Sequence, residues 1–148
     1  MTGTAADPRQ PLLAAWIAQM VGTIVLALVV ATFVQKAGAP FHGADAFRRY
    51  VFTAILAATA PALYYLRTYR ARLVADARAQ AARGGAPDAA ARQALLRSLA
   101  VGGALCELPM AVGALHLFMG GEQRWFVGAT LITLAIRLSY RPFVRETR

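Results

Sequence analysis

The sequence predicts an all-α fold: an integral membrane four-helix bundle with a helical cytoplasmic hairpin between its second and third spans. Three observations predict it. The first is composition. Of 148 residues, 58% are hydrophobic and only 16% are charged, with a mean hydropathy of +0.47, where a soluble domain averages ~45–50% apolar and ~25% charged. A chain this short cannot hide so much extra apolar surface from water. The second is that the apolar residues gather into four segments. The third is that the basic residues sort to one side of those segments.

A bilayer core is ~30 Å thick and takes ~20 mainly apolar residues in a helix to cross. Residues 11–34 carry no charge. Residues 50–66 are fenced by Arg48 and Arg49 on one side and Arg67 on the other. Residues 98–121 carry one charge, Glu107. The fourth segment is weaker: 125–138 is apolar but for Arg137, and with Trp125 and Tyr140 near its ends it reads as a span over 123–141. Aromatic side chains favour the headgroup level, and Arg can reach outward along its own stem. All 148 residues then form one membrane domain. A cleaved signal peptide is the alternative for the first segment, with the small residues of Lys36-Ala37-Gly38-Ala39 as a cleavage site. Its 24 apolar residues exceed the ~7–15 of a signal-peptide core.

Basic residues orient the spans. One side carries Arg9, seven arginines between Arg67 and Arg97, and Arg137, Arg141, Arg145 and Arg148, twelve in all. The other carries Lys36, Arg48, Arg49 and Arg124. Positive residues resist translocation, so the first side is cytoplasmic and both termini lie inside. The net charge of +9 is mostly this label, which argues against nucleic acid as a partner. Fifteen Arg to one Lys and 33 Ala suit a GC-rich genome and a bacterial cytoplasmic membrane.

Residues 67–97 are Ala-rich and favour helix. Gly84-Gly85-Ala86-Pro87 is the break, with Asp88 as the cap of the next helix. Two uses suit the hairpin. It is a solvated stalk, or Arg67, Arg70, Arg72, Arg78 and Arg83 contact anionic headgroups, another membrane protein or a cytoplasmic protein.

Ionisable residues in spans are costly and mark candidate sites. There are two, Glu107 and Arg137. Helical periodicity places Ala15, Gln19, Gly22 and Thr23 on one side of the first span, and Thr53, Ala57, Ala60 and Tyr64 along the second. It places Gly103, Ala104, Met110, Ala111 and Ala114 around Glu107, and Thr130, Thr133 and Arg137 along the fourth. Small and polar residues gather where membrane helices pack. These four stripes are therefore expected to face one another, with Gln19, Tyr64, Glu107 and Arg137 at the centre. The cluster has two readings: an ion pair that fixes helix association, or a carboxylate site that binds or moves H⁺ or Na⁺. Pro61 and Pro109 are expected to kink their helices and free the carbonyls of Ala57 and Leu105.

Other chemistries find little support. Cys106, the single cysteine, cannot form an internal disulfide and reads as a small buried filler. His42 and His116 could hold a metal or haem only with ligands from elsewhere. There is no phosphate-binding glycine motif, CxxC, HExxH or GxSxG. The sequence therefore predicts no enzyme, no cofactor and no metal site, with lipid and another protein, or a second copy of the chain, as partners.

The run Ala104-Leu105-Cys106-Glu107-Leu108-Pro109-Met110-Ala111-Val112-Gly113, followed by Gly120-Gly121 and Tyr140-Arg141-Pro142, resembles small, uncharacterised four-span bacterial membrane proteins. Its Glu-to-Gly spacing is also similar to the carboxylate helix of rotary ATP synthase proteolipid subunits. The likeness covers about 40 C-terminal residues, whereas the alternating glycines of a proteolipid are reduced in 11–34 to Gly22. The resemblance implies a membrane protein in which Glu107 is the carboxylate that matters.

Overall fold

The structure, a computed structural model, describes residues 10–84 and 88–142. Arg9, Arg145 and Arg148 of the charge count, and Gly85, Ala86 and Pro87 of the expected break, lie outside the described residues. Of those described, 85% are helical and none is in a strand, so the all-α class holds. The helices are α1 (Gln10–Ala37), α2 (Ala44–Arg48), α3 (Val51–Ala82), α4 (Ala89–Cys106), α5 (Leu108–Phe118) and α6 (Gln123–Ser139).

Helix ends follow local chemistry. Gly38, Gly84 and Gly120 have positive φ, the left-handed conformation that glycine reaches without a Cβ penalty. At the end of α5, the Gly121 N–H donates to His116 O and the Gly120 N–H to Leu117 O, the paired bonds of a Schellman cap. α4 starts at Asp88, whose carboxylate accepts from the Ala90 and Ala91 N–H groups at 2.9 and 3.2 Å. These two donors hold the Asp88 carboxyl below the ordinary aspartate value of 3.8. A depressed carboxyl stabilises the helix start above the ordinary aspartate range and loses that contribution as pH falls through its folded value. We therefore expect amide protection at Ala90 and Ala91 to fall on acidification below pH 3.8, and Asp88→Asn to remove most of that pH dependence in hydrogen exchange.

Two stretches, α1 and the joined Ala89–Phe118, are long and apolar enough to cross a membrane. α3 and α6 are not among them. The uncharged part of α3 ends at Arg67, and α6 has 17 residues and contains Arg137. α1 is apolar on every side. It buries only Leu12 and Thr23, while Val21, Val25, Leu28, Val29 and Phe33 point outward. A helix with so little internal packing does not gain its stability from the core of its own chain.

α5 and α6 form a close antiparallel pair across the Gly120-Gly121 turn. α3 packs along α4, α5 and α6, and the backbone of α1 approaches α4, α5 and α6 but not α3. One core, at the level of the Arg-rich end, joins Leu12, Tyr69, Leu73, Leu95, Leu99 and Tyr140. A second joins Val51 and Ile55 to Ala129. A third packs Met110, Leu117 and Phe126 against Val30 and Val34 of α1.

The expected inward stripe of α3 is corrected. Thr53, Ala57, Ala60 and Tyr64 are all exposed, and Tyr64 is 76% exposed. The packed face carries Val51, Ile55, Ala62, Tyr69 and Leu73. Mostly larger side chains fill the space between helices there, with Ala62 as the one small residue of that face. Tyr140 also differs from its expected headgroup position: it is buried, and its hydroxyl donates to Ala62 O at 2.5 Å. α3 runs unbroken through Pro61, whereas the chain is interrupted at Glu107, two residues before Pro109.

A candidate polar site at the α4–α5 break

Pro109 has no N–H to donate, so the helical ladder cannot pass it intact. The Glu107 N–H takes Ala104 O, three residues back, at 3.2 Å, and a new ladder opens with Ala111 N–H to Glu107 O. The Met110 N–H finds its acceptor on another helix, Thr133 Oγ1 of α6, at 3.2 Å. The break therefore ties α4–α5 to α6 and sets the Glu107 side chain between helices.

Arg137 of α6 points inward. Its Nη2 donates to Glu107 Oε1 at 2.5 Å and to Gly103 O at 2.8 Å. Its side chain is only 4% exposed, against 29% for Glu107. The backbone carbonyl of Arg137 in turn accepts the Trp16 indole N–H at 3.0 Å. On α1, Thr23 donates to Glu107 Oε1 at 2.6 Å, and its hydroxyl also lies 3.0 Å from Gln19 O. Gln19 lies against Gly103, where a Cβ would collide with its amide. Three helical segments thus converge on one carboxylate oxygen.

Of the sequence-predicted residues, Gln19, Glu107 and Arg137 come together. Tyr64 does not, because its face of α3 turns away. Thr23, Trp16 and the Gly103 carbonyl complete the site, and none of the three is an expected centre of it. Thr23 is legible as the residue one turn beyond Gln19. Gly103 stands one turn before Glu107, so its carbonyl belongs to the same patch. Met110 and Thr133 lie on stripes expected to face one another, but the hydrogen bond between the Met110 N–H and the Thr133 hydroxyl follows from the break at Pro109.

A cleft of about 290 Å³ opens beside the pair, lined by Gln19, Gly22, Thr23, Leu26, Gly103 and Ala104 as well as Glu107 and Arg137. Gln19 Oε1, Glu107 Oε2 and Arg137 Nε have no hydrogen-bond partner among the described residues. The arrangement can neutralise a charge, hold helices in register and offer an acceptor to a small ligand.

His42 is exposed and His116 is buried against Phe47. Among the described residues no group of three His, Cys, Asp or Glu is placed to hold a metal. The five hairpin arginines divide. Arg70 donates to Ser139 O at 2.6 Å, Arg72 to Ser98 Oγ at 3.4 Å, and Arg83 pairs with Asp88 at 3.6 Å. Arg67 and Arg78 are exposed.

Comparison with family models, with curated proteins and with solved structures returns no match for this chain.

Proposed function

We propose that the chain is a small multi-pass integral membrane protein that serves as an accessory or scaffold subunit, with Glu107–Arg137 as its internal lock. In this reading 11–34, 50–66, 98–121 and 123–141 are its four spans. Both termini lie in the cytoplasm, and the membrane is a bacterial cytoplasmic membrane. The observation that carries it is α1. Over residues 11–31 every exposed residue is apolar, and polar contacts to Glu107, Gly103 and Arg137 attach the helix to the rest. Lipid, another membrane protein or a second copy of the chain is the medium that suits such a helix. The Arg137 guanidinium is engaged by a carboxylate and a carbonyl, as a buried charge in a structural role must be.

A second reading has its own support. The cleft reaches Glu107, which is partly exposed and has an unpartnered oxygen, as a carboxylate that binds H⁺ or Na⁺ would. Proteoliposomes separate the two. With a structural lock, wild type and Glu107→Gln give the same H⁺ and Na⁺ flux as protein-free vesicles. An ion flux present in the wild type and lost in Glu107→Gln would overturn the accessory reading.

A further inference from the structure

We infer that the Arg-rich end of the bundle carries a collar that binds anionic phospholipid headgroups, built from Arg67 and Arg72 of α3 with Arg97 of α4. The inference rests on the membrane reading above.

Hydrogen bonds fix the level of the collar. Arg70 reaches Ser139 O at the end of α6. Arg72 reaches Ser98 of α4, and the same Ser98 hydroxyl shares a 3.1 Å hydrogen bond with Tyr65. Leu12, in the first turn of α1, belongs to the same core as Tyr69 and Tyr140. Residues 65–72, 97–98 and 139–141 therefore lie at one level across three helices. Trp16 and Tyr65 stand at or near it, and aromatic residues of this kind mark a membrane–water boundary.

The far end gives the second half of the argument. From Arg67 to Val51 is about 24 Å along α3 at 1.5 Å per residue, close to the thickness of a hydrocarbon core. There Arg48 pairs with Glu122 at 2.7 Å, Arg124 pairs with the same carboxylate, and Asp45 stands nearby in the chain. At the collar the acidic residue nearest in the chain is Asp76, which lines one cleft with Arg72. Asp76 is a turn beyond Arg72 on α3, and Glu107 lies deeper and is taken by Arg137. Arg67, Arg72 and Arg97 are all exposed. Exposed arginines at headgroup depth, with Arg72 anchored on Ser98, suit phosphate, which guanidinium binds through paired N–H donors. Arg78, on α3, lies about 9 Å and Arg83, at its C-terminal end, about 16 Å further from the membrane than Arg72.

Native mass spectrometry of the detergent-solubilised full chain tests the collar, with phosphatidylglycerol, phosphatidylcholine and inorganic phosphate as probes. Wild type is expected to retain phosphatidylglycerol at least tenfold more than phosphatidylcholine. Arg67→Gln/Arg97→Gln, at two exposed positions, is expected to lower that preference about tenfold with no change in melting temperature. Arg78→Gln/Arg83→Gln is expected to leave it unchanged. Equal retention of both lipids overturns the collar, as does an equal loss from the Arg78/Arg83 variant. Competition by millimolar inorganic phosphate would assign the site to free phosphate and also overturn it. Alkaline carbonate washing of membranes guards the underlying reading. Protein released by the wash overturns membrane insertion itself, whereas protein that resists it but shows no lipid preference overturns only the collar.

Discussion

Glu107→Ala is expected to destabilise the fold by about 3–5 kcal/mol, the cost of leaving a buried charge without its partner. Arg137 is the partner left behind, with a side chain only 4% exposed. It cannot turn to water, and Gly103 O is the one other acceptor its Nη2 has. Arg137→Leu is expected to cost less. Glu107 is 29% exposed on the edge of the cleft, so its carboxylate can rotate toward solvent and keep the Thr23 hydrogen bond. The double variant Glu107→Leu/Arg137→Leu removes both charges together and is expected to be more stable than Glu107→Ala, because hydrophobic replacement of a buried pair is often neutral. Reversible unfolding in mixed detergent micelles measures each corner of the cycle. Strong non-additivity is the expected signature of a direct pair. If the two single costs simply add, the pair does not hold the helices.

How much of this was legible in the sequence depends on which physical signal each feature leaves. α1 and the part of Ala89–Phe118 from Ser98 onward were legible because a long run with at most one charge is stable only as a helix surrounded by apolar neighbours. The pairing of Glu107 with Arg137 was legible because two charges among so many apolar residues have only each other, and the helical period puts both on small-residue stripes. The Asp88 cap and the Gly84 stop followed from the turn chemistry of those two residue types. The packed face of α3 was not legible. Alanine recurs all round that helix, so a rule that small residues face inward cannot choose a side. Ala62 is buried while Ala57 and Ala60 are exposed. What decides is where Ile55 finds space beside α5 and α6 and where Tyr69 and Leu73 find it beside α4 and α6, and that is a property of several helices at once. The same holds for Tyr140, an apparent boundary residue whose ring instead settles on Gly102. The five-residue α2 leaves no periodic signal at all.

Tyr140→Ala is expected to rank beside the charge cycle in size, at about 3–5 kcal/mol for the loss of a buried aromatic ring. The ring is fully enclosed. It lies 5.3 Å from the Tyr69 ring, and a Cβ on Gly102 would occupy its position. Removing it leaves a cavity between α3, α4 and the end of α6, at the level where the core also holds Leu12 of α1. Tyr140→Phe separates packing from polarity. It keeps the ring and removes the hydroxyl that donates to Ala62 O, so it is expected to cost only about 1 kcal/mol, the net worth of one hydrogen bond. Gly102→Val attacks the same contact from the other side: its side chain must displace the ring, so it is expected to destabilise by about 1–3 kcal/mol. Combined with Tyr140→Ala it is expected to cost less than the two changes summed, since the new methyl groups enter the vacated space. Thermal unfolding of the four variants in one detergent decides between these outcomes. A Tyr140→Phe loss as large as that of Tyr140→Ala would mean that the hydroxyl, and not the ring, holds the end of α6 to α3.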